Sequence, residues 1–173
     1  VHQRGFHDDR EMNIALAERR NTAANVSAVT GVAATTPRVT GHALASGADQ
    51  SRVLQVMGVD STTEPRVTRL DRSMVRGRYL AGGNEIILGV DAAGALDVSP
   101  GDELVLVVQA ADGSIGADRF AVAGVFETGI KRIDGFVAQM PLASAQALYA
   151  FQGRFTEIAA RVQEADRLDE VVG

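Results

Sequence analysis

A chain of 173 residues, 46% of them apolar and 23% charged, is long enough for one domain or for one domain carrying a smaller lobe, and too apolar to be disordered along its length. A formal net charge of −5 and a pI near 5.2 argue against the clustered basic face that phosphate backbones demand, so nucleic acid is not an expected partner. Zero cysteines exclude disulfides, thiolate zinc sites and cysteine nucleophiles.

Residues 8–29 carry acids early and arginines later, with Gly31 just beyond, which predicts a helix whose ends suit its macrodipole. The β-branched run over 32–44 predicts a strand, with Pro37 marking an edge position or a bulge. After a break at 46–49, "RVLQVMGVD" over 52–60 is apolar at both alternating sets of positions, the pattern of a strand buried on both sides. Residues 61–80 read as a polar connector.

A compact succession follows: a strand over 85–88, a helix over 90–96, a Ser99-Pro100-Gly101-Asp102 turn and a strand over 103–109. A hairpin through Asp112-Gly113 leads to a strand over 118–126. The stretch "FETGIKRIDGF", residues 126–136, holds the chain's lone lysine and reads as a charged loop between two strands, its glycines permitting positive φ. A strand over 136–140, a helix over 142–151, a strand over 155–162 and a helix from Asp166 complete the chain. Short antiparallel strands dominate the middle, while helix and strand occupy both ends. The pattern predicts an α+β fold, one lobe built from both chain ends with a small β-rich lobe inserted.

Little in the sequence carries chemistry. Of the three histidines, His42 lies in a glycine-flanked strand or loop, and His2 and His7 lie near the start. His7-Asp8-Asp9 is the sole candidate metal cluster, but neighbouring side chains diverge on a helix or strand, so the expectation is surface polar groups and no metal. The glycine-rich phosphate loop with its lysine, the dinucleotide fingerprint, the serine nucleophile elbow and the paired-histidine zinc motif are all missing. Glu127 and Asp134 could pair as acid and base, yet Lys131 and Arg132 between them would neutralise both. No catalytic or cofactor-binding residue is therefore expected. Lys131, Arg132 and Asp134 remain as candidate partner contacts, with a plain structural turn as the simpler alternative. The scattered arginines, such as Arg66, Arg69, Arg72, Arg76 and Arg78, read as a solvated mixed surface.

Apolar runs such as 104–108 fall far short of the ~18–20 residues of a membrane-spanning helix. The chain opens at Val1 without a signal-peptide pattern and stops inside an expected helix, so both ends read as cut from a longer protein.

The phrase "EIILGVDAAGALDVSPGDELVLV", the hairpin after it, "DRFAVAGVFETGIKRIDGFVAQMPLASAQALYAF" and "FTEIAARV" together resemble the extracytoplasmic core domain of MacB-like and lipoprotein-releasing-type ABC transporter permeases. Upstream, "GVAATTPRVTGHALAS", "LQVMGVD" and "MVRGRYL" are similar to the same domain's earlier portion, so the resemblance covers about residues 1–162. It implies a domain between the first and second membrane helices of a bacterial inner (plasma) membrane protein, facing the periplasm or the outside. It also implies two lobes: a discontinuous porter-like α+β lobe over 1–62 and 153–173, and an inserted β-rich, barrel-like lobe over 63–152. The implied partners are a cytoplasmic ABC ATPase subunit, joined through membrane helices, a second permease subunit, and an envelope partner or substrate. The implied role is non-catalytic and needs no cofactor: ATP-driven closure moves the membrane helices, and the outer domain changes posture to export or release substrate.

One departure is visible. Lipoprotein-releasing members carry a longer, proline-containing excursion that hooks a soluble chaperone, whereas the interval here is the short "QAADGSIGADR", residues 109–119. A general permease is therefore expected rather than a chaperone-hooking one. Two alternatives stand beside this: a free-standing soluble β-rich module that binds a ligand or peptide, and a metal hydrolase using His7, Asp8 and Asp9.

Overall fold

The computed structural model describes residues 16–17 and 31–162. Its strands are β1 (Leu16–Ala17), β2 (Val32–Ser46), β3 (Ser51–Val59), β4 (Met74–Gly77), β5 (Glu85–Gly89), β6 (Glu103–Gln109), β7 (Ile115–Phe126), β8 (Val137–Pro141), β9 (Arg154–Phe155) and β10 (Glu157–Val162). The helices are α1 (Glu64–Val67), α2 (Val90–Leu96), α3 (Lys131–Phe136) and α4 (Leu142–Leu148), with a 3₁₀ turn over Leu70–Ser73.

Six strands close a ring. β2 pairs antiparallel with β3, β3 parallel with β8, β8 antiparallel with β5, β5 parallel with β7, β7 antiparallel with β6, and β6 antiparallel with β2 again. β10 extends the sheet outside β2, and β4 extends it outside β7. The alternation along each ring strand explains the closure, because every second residue goes to one core: Ala43 and Ala45, Leu54 and Val56, Ile86 and Leu88, Leu104 and Leu106, Phe120 and Val122, Ala138 and Met140. Leu96 from α2 and Ala145, Leu148 and Tyr149 from α4 and its end join that core. A second, smaller cluster of Val59, Leu70, Leu80, Ile87 and Phe126 lies beneath the 64–80 segment. β5 thus buries both faces, Ile86 and Leu88 in one core and Ile87 in the other, which is why it reads as an unbroken apolar run.

Several expectations are met closely. The helix over 90–96 and the strand over 103–109 have the bounds expected, and the Ser99–Asp102 turn forms, with the Ser99 amide donating to the Asp102 carboxylate at 2.8 Å. Pro37 sits where β2 has β10 on one side and no β3 on the other, because pairing with β3 begins at Arg38, so the missing N–H breaks no ladder there.

Others are corrected. The middle is not uniformly antiparallel, since β3–β8 and β5–β7 are parallel pairs. Both join strands distant in sequence, as parallel pairing requires. β3 is buried on both sides only toward its end, where Leu54 and Val56 enter one core and Met57 and Val59 the other; at its start Val53 is 55% exposed. The connector over 61–80 is structured as α1, the 3₁₀ turn and β4, because Leu70 and Leu80 supply the lid of the second core. The helix expected over 142–151 ends at Leu148, where Ala150 turns at φ 56°. The strand expected over 155–162 is split into β9 and β10, the Thr156 amide donating instead to the Arg38 carbonyl at 2.8 Å.

Within the helix expected over 8–29, only Leu16–Ala17 is described, and it is a strand paired with Arg154–Phe155. The remainder of that helix, the helix from Asp166, and His2, His7, Asp8 and Asp9 lie outside the described residues. Among the described residues, no helix is long and apolar enough to cross a membrane. The sheet is continuous across the expected lobe boundary near residue 62, because β3 on one side of it pairs with β8 on the other.

Candidate functional site

The stretch singled out in the sequence is not the open loop expected. Residues Lys131–Phe136 form one and a half turns of helix, α3. Gly129, at φ 78°, makes the sharp entry that an L side chain would resist. Asp134 then folds back on the entry. Its Oδ1 accepts from the Thr128 amide and hydroxyl, both at 2.8 Å, and its Oδ2 from the Gly129 amide at 2.9 Å. Burial pushes this carboxyl's pKa up, but the Thr128 amide and hydroxyl and the Gly129 amide outweigh it and leave the pKa lowered. The charge is spent inside the loop, and Asp134 is only 3% exposed, so it does not face outward as a partner contact would.

Lys131 and Arg132 do face outward. Lys131 Nζ reaches Asp91 Oδ2 of α2 at 3.1 Å, an exposed pair that adds little stability. Arg132 forms no ion pair among the described residues and borders a cleft of about 650 Å3. The cleft runs between α3 and the start of β3. Its apolar wall is Val53, Ile130, Ile133 and Phe136, and His42 and Gln55 add polar groups. At its edge, the Arg52 guanidinium lies 5.0 Å from the Phe136 ring centroid, a cation–π contact. Sequence reasoning named Arg132 and missed Arg52, Val53 and Phe136. Their signal was the apolar residue at 53 between Ser51 and Gln55 on one face of the strand, and it is interpretable only once α3 is known to turn beside it.

A second constellation is buried. Glu64, fully inaccessible, is held in a fork by Arg38, with Nη2 to Oε1 at 2.6 Å and Nε to Oε2 at 3.0 Å. The Thr68 hydroxyl donates to Oε1 at 3.0 Å, and the Tyr79 hydroxyl donates to Gln139 beside it at 3.1 Å. Arg38 also approaches Glu157 of β10 at 3.5 Å. Burial, with the negative charges of Glu64 and Asp71 nearby, pushes the Tyr79 hydroxyl's pKa well up, so it remains a proton donor to Gln139. This group ties α1 to β2, β8 and β10. It is a clamp. Among the described residues, no group of three or more metal-ligating side chains comes together.

Known proteins place this geometry in context. No family model matches the chain. It is 27% identical over 129 residues to the lipoprotein-releasing system transmembrane protein LolC of Neisseria meningitidis serogroup B. That alignment takes in 69% of this chain and 31% of LolC, so the chain spans less than a third of its relative's length. The fold matches the extracellular domain of the ABC-type transporter YknZ from Gram-positive bacteria, with a TM-score of 0.61, 16% identity, and coverage of 87% of this chain and 76% of that one. It also matches the periplasmic region of MacB from Actinobacillus actinomycetemcomitans, with a TM-score of 0.61, 15% identity, and coverage of 95% and 73%. A domain of a permease protein from Porphyromonas gingivalis matches at a TM-score of 0.52, with 14% identity and coverage of 90% and 68%. The resemblance to the extracytoplasmic domain of MacB-like and lipoprotein-releasing-type ABC permeases therefore holds in sequence and in fold.

Proposed function

We propose that this chain is the extracytoplasmic core domain of an ABC transporter permease subunit, and that it passes ATP-driven movement of membrane helices to export or release of a substrate. The observation that carries this reading is the double match, one in sequence to a membrane protein of a lipoprotein-releasing system and one in fold to domains of two ABC transporters. The domain itself is non-catalytic on this reading. Its energy comes from a cytoplasmic ATPase subunit, and its working form pairs with a second permease subunit in the bacterial inner membrane.

The finer architecture belongs to the same proposal: a porter-like lobe from the chain ends beside a barrel-like inserted lobe. The chain ends meet where β9 and β10 return to β1 and β2, which is what supports it, while β5, β6, β7 and β8 from the interval 63–152 share their sheet with β2 and β3. The Arg38–Glu64–Glu157 clamp joins the two parts, which suits a domain that must move as a lever rather than deform.

The experiment is to express the complete gene product with its genomically adjacent ATPase, reconstitute both in liposomes, and place a spin label at Ile115→Cys, a position 77% exposed. The label-to-label distance between the two permease subunits should change on ATP binding. An unchanged distance in a complex that hydrolyses ATP would exclude transmission through this domain, and failure of the ATPase to co-purify would exclude the permease reading itself.

A further inference from the structure

The cleft between α3 and β3 has three properties that the fold does not require. Its wall exposes large apolar side chains, with Val53 and Ile130 each 55% and Phe136 48% exposed. Its charges are cationic, on a chain whose net charge is −5. Arg52 and Arg132 form no ion pair among the described residues, and the buried Arg52 Nε has no acceptor among them. Two acids on or beside α3 are already used: Asp91 by Lys131, and Asp134 by the Thr128 and Gly129 amides.

The third property is a free strand edge. β3 pairs with β2 along its whole length from Ser51, but pairing with β8 starts only at Gln55, opposite Val137. Phe136, the residue before, turns away into α3. Backbone over residues 51–54 therefore has no strand neighbour on that side among the described residues, and this is where the cleft lies. An unpaired edge with apolar and charged side chains beside it is the arrangement that accepts an added strand, with main-chain hydrogen bonds giving affinity and flanking side chains giving specificity. The volume of about 650 Å3 falls in the range of ligand-holding clefts.

We infer that this cleft binds an extended, acidic and apolar peptide segment of a partner protein, which adds as a short strand beside residues 51–54 with its acids on Arg52 and Arg132 and its apolar side chains on Val53, Ile130 and Phe136. The inference does not depend on the transporter reading.

The test uses the 173-residue chain labelled with 15N, titrated with a capped synthetic pentapeptide that alternates glutamate and valine. Amide shifts should concentrate at 51–54 and 130–136 and should weaken as salt rises. Phe136→Ala should weaken binding about tenfold, as loss of an aromatic anchor does, and Arg132→Gln about two- to fivefold, the scale of an exposed charge pair. Because Phe136→Ala could also disturb α3, a peptide with N-methylated backbone amides provides a control that leaves the protein untouched. It should bind at least tenfold more weakly if strand addition is the mode. Equal binding of the same peptide with lysine in place of glutamate, equal binding of the N-methylated peptide, shifts confined to other surfaces, or shifts produced only by phosphatidylglycerol vesicles would each overturn the inference, the last assigning the cleft to anionic lipid instead.

Discussion

Arg38 and Glu64 show how much one buried pair can determine. Glu64 has no exposed surface, and the Arg38 side chain keeps 11%, so each charge depends on the other for the solvation that water no longer supplies. Replacing Glu64 by Gln leaves the guanidinium buried without its counter-charge and should cost about 3–5 kcal/mol by denaturant unfolding. Removing both charges with Arg38→Met and Glu64→Leu should recover most of that loss, because an apolar pair of similar volume needs no solvation. A Glu64→Gln cost below ~1 kcal/mol would show that water reaches the pair. None of this is legible in "STTEPRV", where Glu64 looks like an acid in a polar connector. Its burial is decided by Arg38, 26 residues earlier, and by Gln139, 75 residues later.

At the scale of elements, what the sequence reveals is what the chain settles locally. The helix over 90–96 and the strand over 103–109 follow from nearby periodicity, a Ser-Pro-Gly-Asp turn and an apolar run, and they appear with the bounds expected. α3 was missed because "GIKRIDGF" has little helical periodicity of its own, and it is held instead by one carboxylate bonding back across six residues to Thr128. Asp134→Ala should therefore lower the melting temperature by roughly 5 °C, on the order of 2 kcal/mol for orphaned buried donors. Lys131→Ala combined with Arg132→Ala should change it by less than about 2 °C, because exposed substitutions cost below ~0.5 kcal/mol. Calorimetry on the two variants side by side distinguishes the roles. A larger loss in the Lys131/Arg132 variant would mean that the exposed charges, not the folded-back carboxylate, hold the helix. The parallel pairs β3–β8 and β5–β7 were invisible for a different reason: nothing in either strand's pattern names a partner tens of residues away.

For the whole molecule, the order of motifs was more informative than any one of them. "VSPGDELVLV" alone is common turn-and-strand chemistry. Followed by "FAVAGVF" and "MPLASAQALYAF", it resembles an extracytoplasmic permease domain, and the fold shared with the YknZ and MacB domains agrees. The cleft at α3 and the six-strand ring were legible only after folding, since both depend on which strands meet. The absence of cysteine from this chain gives direct access to the central claim, because a single Ile115→Cys introduces the only thiol in it. The measurement is labelling of that thiol, in the complete gene product with any cysteine outside these residues replaced by serine, by a membrane-impermeant maleimide in cells whose inner membrane is intact. A permease with this domain outside the membrane sediments with membranes and is labelled without lysis. Labelling only after lysis, or recovery of the protein in the soluble fraction, would contradict it.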